Sequence, residues 1–196
     1  MLIYKYVSSV LIGYLIGSIP VAVLVSRHRH VNIFTTGTGL AGAANVFRNV
    51  GHIQGILVFA GDLIKGMLAI MIAHRMGLEG ASILIAALAT LGGHWNSVFT
   101  RFRGGDGVST LLGITLAVMP MYGIITIVIG IVIAAVARRI GQHGSLWGGS
   151  VTYGLILFAV LPFSDGSIFL GLGVVFLAVL VLAHGIIGYR RRINSL

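Results

Sequence analysis

Residues 101–110 read Arg101-Phe102-Arg103-Gly104-Gly105-Asp106-Gly107-Val108-Ser109-Thr110, a basic, glycine-rich stretch between two apolar segments. Glycines let the backbone curl so that several N–H groups converge on one anion, and arginine adds a forked cationic donor. A second stretch of this kind runs from Gly37 through Gly42 to Arg48. In an apolar chain, the two stretches predict loops between membrane helices that bind a phosphate-bearing, lipid-linked substrate.

The composition is that of an integral membrane protein. Of the 196 residues, 57% are hydrophobic and 9% are charged, and the mean hydropathy is +1.04. This composition predicts membrane spans with no room for a separate soluble domain, so residues 1–196 are expected to form a single integral membrane domain. Cysteine is absent, which excludes disulfides and thiolate metal ligands. The net charge of +9 lies in short loops, where positive-inside topology explains it, so no nucleic-acid partner is expected.

The topology depends on one long apolar segment, residues 108–137, because a crossing takes about 20 residues. If this segment crosses once, the basic loop that begins at Arg138 lies on the outside. If the chain reverses near Met119-Pro120-Met121, every basic loop lies in the cytoplasm, and Pro120 favours the turn. We therefore predict an all-α, polytopic membrane protein with about seven short transmembrane helices, the N-terminus outside and the C-terminus cytoplasmic. The other predicted spans are 6–25, 53–73, 81–99, 151–161 and 168–188.

The two stretches have both a functional and a structural interpretation. In the functional one, a helix that begins near Ala43 directs its N-terminus at a phosphate, and the surrounding donors complete a cradle. In the structural one, each stretch is a tight interhelical loop whose arginines mark the membrane interface. The candidate ligands of the cradle are Gly37, Thr38, Gly39, Gly42, Arg48, Arg103, Gly104, Gly105 and Gly107.

Other polar residues could support the loops. Asp62 and Lys65 lie at i, i+3 in an apolar segment, where an ion pair that fixes the helix is favoured over direct catalysis. His94 either orients the 101–110 loop or packs beneath it, and Ser145 either donates to a phosphate or has no role. Glycines such as those at positions 13 and 17 predict close helix packing. No HExxH, GxSxG or GK[ST] motif occurs, so neither a metal nor a cofactor is predicted.

Taken together and in order, these stretches resemble the bacterial acyl-phosphate:glycerol-3-phosphate acyltransferases, which are integral membrane enzymes of phospholipid synthesis. The matching segments are Gly17-Ser18-Ile19-Pro20, 37–48, 62–66, 93–110 and 189–194, along nearly the whole chain. The resemblance implies a seven-span fold in the bacterial plasma membrane with its active site at the cytoplasmic face. It implies transfer of a fatty acyl group from acyl phosphate to the 1-hydroxyl of glycerol 3-phosphate, which gives lysophosphatidate and phosphate.

The resemblance also implies roles for individual residues. The catalytic set is Thr38, Arg48, Arg103 and Ser145. The phosphate-binding set is Gly37, Gly39, Gly42, Asn45, Gly104, Gly105, Gly107, Arg191 and Asn194. The supporting set is Asp62, Lys65, His94 and Asp106. The implied partners are glycerol 3-phosphate, a fatty acyl phosphate and membrane lipids, without a cofactor or metal, and the oligomeric state stays open with a monomer among the alternatives.

Several positions depart from the family pattern. Leu40 replaces an asparagine, Ala44 a threonine, Ser97 a proline, Asp106 the second lysine and Arg191 a histidine. A carboxylate about 4 Å from a phosphate charge costs roughly 4 kcal/mol at an effective dielectric constant near 20. We therefore predict that Arg191 pairs with Asp106. Two alternatives remain: a retuned or non-catalytic paralogue that binds or moves a phosphorylated lipid or small phosphate ester, and a small transporter.

Overall fold

The computed structural model describes residues 2–137 and 168–193, and all regular structure in these ranges is helical. The α-helices are α1 Leu2–Ser18, α2 Val21–Arg27, α3 Ala43–Asn49, α4 His52–Arg75, α5 Ile83–Trp95, α6 Val108–Val118, α7 Pro120–Ala137 and α8 Ile168–Ile193. Short 3₁₀ turns occupy Ile33–Thr35, Gly80–Ser82 and Val98–Thr100. The predicted all-α class is thus confirmed for the described residues, and the predicted span 151–161 lies outside them.

Within residues 2–137 and 168–193, four segments are long and apolar enough to cross a membrane. They are Ile3–Arg27, His52–Arg75, Gly80–Thr100 and Ile168–Gly188, while Val108–Val118 and Pro120–Ile133 are shorter apolar helices. Many large apolar side chains on these helices, such as Leu11, Ile64 and Phe176, are exposed in the isolated chain. Such outward apolar faces are what a surrounding bilayer requires.

Pro20 interrupts the first span and separates α1 from α2. Proline has no N–H to donate and its ring disturbs the preceding turn, so the helix cannot continue unchanged through this position. Two polar side chains satisfy carbonyl groups at the break. Ser97 Oγ donates to the carbonyl of Ser18 at 2.5 Å, and Lys65 Nζ donates to the carbonyl of Ile19 at 3.2 Å. The break therefore joins α1 to α4 and to the loop after α5.

Glycines allow the spans to approach one another closely, as predicted. Gly13 and Gly17 of α1 face Ala86 and Thr90 of α5, and a Cβ on Gly13 would lie 2.9 Å from the Ala86 carbonyl oxygen. Larger residues here would force the two helices apart. Because contacts advance in the same direction along both helices, α1 and α5 are parallel.

The chain folds back where the sequence predicts a reversal. Helix α6 ends at Val118, α7 begins at Pro120, and Gly123 lies directly against the backbone of Leu116. Residues seven apart lie about 10 Å apart along a straight helix, so this contact requires α7 to return beside α6. The helix break predicted at Met119-Pro120-Met121 is therefore present.

The bundle has two distinct ends. At one end, Lys5 at the start of α1 lies beside Gly77 at the end of α4, whereas Val21 is beside Gly61, so these two spans are antiparallel. The opposite end carries the loops 27–51 and 95–107, which we call the loop end. The C-terminal part of α8 belongs to it, because His184 stacks on Trp95 with ring centroids 4.7 Å apart.

Candidate functional site

The two glycine-rich stretches meet at the loop end. The Ala41 N–H donates to the carbonyl of Gly104 at 3.1 Å, and a Cβ on Gly42 would lie 3.4 Å from Oδ2 of Asp106. The 52 residues 49–100 separate the two stretches, and α4 and α5, which pack together, bring them to the same end. The convergence that a phosphate cradle requires is present.

Asn45 holds the first loop in shape. Its Nδ2 donates to the carbonyls of Thr36 and Leu40, both at 2.9 Å, and its Oδ1 accepts from the backbone of Thr38 at 3.2 Å and from Asn49 at 2.8 Å. The residue is only 3% exposed. In this structure the amide of Asn45 is engaged within the protein, and its phosphate-binding role stays a prediction.

Gly37 and Gly39 set the backbone conformation of the first loop. Gly37 and Gly39 have φ of 56° and 62°, in the left-handed region that glycine tolerates best. Thr38, between them, is partly exposed, and its Oγ1 faces the backbone N–H of Leu40 at 3.5 Å. Helix α3 then begins at Ala43, as predicted, with Gly42 as its N-cap residue. Thr38 thus lies half-buried in a loop that Asn45 holds from within.

The two predicted arginines are both exposed at the loop end. Arg48 lies along α3, with Nε donating to the Ala44 carbonyl at 3.0 Å. Arg103 lies over the ring of Phe34, 4.3 Å from its centroid, and its Nη2 donates to the Phe34 carbonyl at 3.3 Å. A guanidinium stacked on an aromatic ring keeps free N–H edges for an anion. Arg103 therefore still presents N–H donors toward solvent.

The glycines of the second loop are needed for close approach. A Cβ on Gly104 would collide with the backbone of His94 and Trp95, and Gly107 has a φ of 93°. The N–H of Gly105 donates to the His94 carbonyl at 3.2 Å. This hydrogen bond fits the tight-reversal interpretation of the loop, and the phosphate-binding role of Gly105 stays a prediction.

His94 packs beneath the second loop. It is 5% exposed, with Nδ1 3.3 Å from Oγ1 of Thr110 and 3.9 Å from Oδ1 of Asp62. Its Nε2 faces Gly105 and has no hydrogen bond within the described part of the chain. The His94 ring packs against the loop, and the His94 carbonyl accepts the hydrogen bond from the Gly105 N–H.

Asp62 and Lys65 form the predicted ion pair. Lys65 Nζ lies 2.8 Å from Oδ1 of Asp62, and the two side chains are 5% and 2% exposed. The same ammonium group donates to Ile19 at the break in the first span. The pair thus links α4 to the break before α2 and lies buried beneath the loops.

Asp106 caps helix α6. Its Oδ1 accepts from the Val108 N–H at 3.1 Å, and the Gly107 N–H also bonds to the carboxylate. Burial raises the pKa of the Asp106 carboxyl, while the Val108 N–H, His184, the Gly107 N–H and Arg48 act in the opposite direction. The carboxylate therefore has backbone donors and two basic neighbours, Arg48 and His184, that the sequence did not reveal. The predicted partner Arg191, and likewise Ser145 and Asn194, lie outside the side chains that the structure describes.

Sequence reasoning missed His184. This histidine stands in the last apolar segment, where a polar side chain is itself a signal of function or pairing. It stacks on Trp95 with an interplanar angle of 18°, and the Trp95 Nε1–H donates to the Asp106 carbonyl at 2.9 Å. His184 thereby connects α8 to the second glycine loop.

Fold and site together define a polytopic helical membrane protein whose glycine loops and arginines converge at one end of the bundle. The chain matches the family described as glycerol-3-phosphate acyltransferase over residues 7–196 and belongs to it.

Relatives and solved structures agree with this assignment. Glycerol-3-phosphate acyltransferase 1 of Deinococcus radiodurans is 34% identical over 174 residues, which cover 89% of this chain and 85% of the relative. The glycerol-3-phosphate acyltransferase of Thermosipho melanesiensis is 32% identical over 175 residues, covering 89% and 82%. The crystal structure of PlsY (YgiH), an integral membrane glycerol 3-phosphate acyltransferase, in its glycerol 3-phosphate form has a TM-score of 0.78 and 28% identity, covering 96% of this chain and 90% of that one.

Proposed function

We propose that the chain transfers a fatty acyl group from acyl phosphate to the 1-hydroxyl of glycerol 3-phosphate, releasing lysophosphatidate and inorganic phosphate. The observation that carries this proposal is the meeting of the two glycine loops, with Arg48 and Arg103 exposed beside them, in a member of the glycerol-3-phosphate acyltransferase family. A similar fold was solved for PlsY (YgiH) in glycerol 3-phosphate and lysophosphatidic acid forms.

The proposed chemistry relies on positioning and charge. Acyl phosphate is already activated, so the attacking hydroxyl needs no covalent intermediate with the protein. Arg48 and Arg103 neutralise the phosphate groups, and the Thr38 hydroxyl donates to one of them. The N–H groups of Gly39 and Gly42 donate to the carbonyls of Thr36 and Leu40 and hold the first loop in shape beside them. Held in this way, the substrates react through proximity and electrostatic stabilisation of the developing negative charge. The proposed enzyme uses membrane lipid as its surroundings and no cofactor.

We infer that the loop end faces the cytoplasm of a bacterial plasma membrane. The loop end carries five arginines, at positions 27, 29, 48, 101 and 103, whereas the other end carries Lys5, Arg75 and Glu79. Such asymmetry favours the cytoplasm for the more basic side. The return of α7 beside α6 supports the proposed seven crossings, with the N-terminus outside and the C-terminus cytoplasmic.

The test is acyl transfer by the purified full-length chain in lipid nanodiscs, with acyl phosphate and labelled glycerol 3-phosphate. Arg48→Ala and Arg103→Ala should each lose about 1–3 kcal/mol of transition-state binding, or roughly 5- to 150-fold in kcat/KM. Arg103→Lys should keep most of the activity because it keeps the charge. Arg75→Ala, an exposed arginine at the other end, is the matched control.

Three outcomes are informative. Losses confined to the two loop-end variants would support the cradle. Equal kinetics in both loop-end variants and the Arg75 control would contradict it. Binding of labelled glycerol 3-phosphate without transfer in any variant would favour the paralogue that only binds phosphate esters.

A further inference from the structure

A cavity at the loop end lies beside the proposed cradle and shares only Arg103 with it. It has a volume of about 540 Å³, within the range of small-molecule sites. Its polar lining includes Arg27, His30, Arg101 and Arg103, of which the proposed reaction uses only Arg103. The apolar part of its lining is Val23, Val31, Ile33, Phe34 and Phe99.

The cavity lies where two spans leave the membrane. Arg27 is the last residue of the candidate span Ile3–Arg27, and Arg101 directly follows the span Gly80–Thr100. Phe99, beside Arg101, is 61% exposed. Aromatic side chains with arginines just beyond them are typical of the level of the lipid headgroups. A ligand in this cavity would therefore lie beside headgroup phosphates.

The charges lining the cavity are all of one sign. Its lining includes no carboxylate, and neither Arg27 nor Arg101 forms an ion pair within residues 2–137 and 168–193. Arg103 is held at one side by its stacking on Phe34. Guanidinium groups gathered around one space repel one another, so an anion between them is the natural complement.

The backbone also departs from its preferred conformations here. His30 and Arg101, both in the lining, have φ of 58° and 56°, a region unfavourable for side chains other than glycine, asparagine or aspartate. Only Phe102 shares this property among the non-glycine residues that the structure describes. Such conformations cluster at ligand sites because the surroundings must hold them in place.

We propose that this cavity binds the phosphate headgroup of an anionic membrane phospholipid. Arg27 and Arg101 contact the phosphate from the ends of two different spans, and the lipid tails pass over Phe99 into the bilayer. The bound lipid fastens the 27–36 segment to the 99–103 segment, next to the glycine loops.

The test measures lipid binding by the delipidated full-length chain in neutral detergent, by native mass spectrometry with phosphatidylglycerol as the probe and phosphatidylcholine as the neutral comparison. The double variant Arg27→Gln/Arg101→Gln should bind phosphatidylglycerol about 30-fold more weakly, since each arginine near an anionic lipid contributes roughly fivefold. Arg75→Gln removes an exposed arginine at the other end and should bind as the original chain does. The melting temperature of each lipid-free variant shows whether it is folded.

Each outcome decides the proposal. Selective loss of phosphatidylglycerol binding in a folded double variant, with no competition by inorganic phosphate, would support it. Equal phosphatidylglycerol binding by the double variant and by Arg75→Gln would overturn it. Competition by inorganic phosphate without preference for the anionic lipid would also overturn it, because the cavity would then take free phosphate. The acyl-transfer assay plays no part, so failure here leaves the proposed reaction untouched.

Discussion

Asp106→Lys introduces the residue that the family resemblance implies at this position, and the structure predicts that this change is harmful here. Asp106 accepts a hydrogen bond from the Val108 N–H at 3.1 Å and lies at the N-terminus of α6. A hydrogen bond to a charged acceptor contributes about 1.5–3 kcal/mol, and an anion at a helix N-terminus about 0.3–1 kcal/mol more. Asp106→Lys removes both contributions and places a cation close to Arg48 and His184.

Burial of the carboxylate offsets part of these contributions, so the expected loss for Asp106→Lys is up to about 4 kcal/mol, or a melting temperature lower by up to roughly 16 °C for a chain of this size. Acyl transfer should fall with it, because α6 begins directly after the second glycine loop. The measurement is thermal unfolding in detergent together with kcat/KM on the same preparation. An unchanged melting temperature with a higher kcat/KM would refute the capping role and identify Asp106 as a repulsive charge.

Asp106→Asn is the matched control, because its carbonyl oxygen can still accept from Val108. Burial raises the pKa of the Asp106 carboxyl, so the folded chain binds the proton more tightly than the unfolded chain. The original chain should therefore lose stability as pH rises from about 3.9, the ordinary aspartate value, through the raised pKa. Asparagine lacks this titration, so its stability relative to the original should increase over the same range. A relative stability independent of pH would contradict the reasoning.

Two further predictions concern the ion pair and the topology. Lys65→Met should lower the free energy of unfolding by about 3–5 kcal/mol, because it leaves Asp62 buried and unpaired. The double variant Asp62→Asn/Lys65→Met should recover most of this loss. Equal melting temperatures for the single and double variants would contradict the prediction. In the cysteine-free chain, an impermeant thiol reagent should label His28→Cys only from the cytoplasmic side and Arg75→Cys only from outside, and the reverse pattern would overturn the orientation.

Local sequence signals predicted the parts of the fold that local physics decides. The spans followed from hydropathy, and the reversal near Pro120 followed from the missing N–H of proline and from charge asymmetry. The pairing of Asp62 with Lys65 followed from the cost of a lone charge in an apolar helix. In each case the deciding interaction lies within a few residues or with the membrane itself.

Whether a polar group faces the protein interior or the solvent could not be predicted in the same way. Asn45 and Gly105 belong to stretches that suit a phosphate, yet their donors bond to Leu40 and His94 instead. A motif specifies which groups are close in the chain and not whether a donor faces inward or outward. That choice depends on tertiary contacts such as the one between Ala41 and Gly104, which no local pattern contains.

The two most conspicuous departures from the family pattern both acquire backbone partners in this fold. Ser97 replaces a proline and uses its hydroxyl to satisfy the Ser18 carbonyl at the break in the first span, a contact that proline cannot make. Asp106 replaces a lysine and satisfies the Val108 N–H at the start of α6. Buried or half-buried polar groups left unsatisfied would weaken the loop end, whereas these substitutions are each bonded where they stand. Ser97 and Asp106 thus each form a hydrogen bond that holds the backbone of the loop end in place.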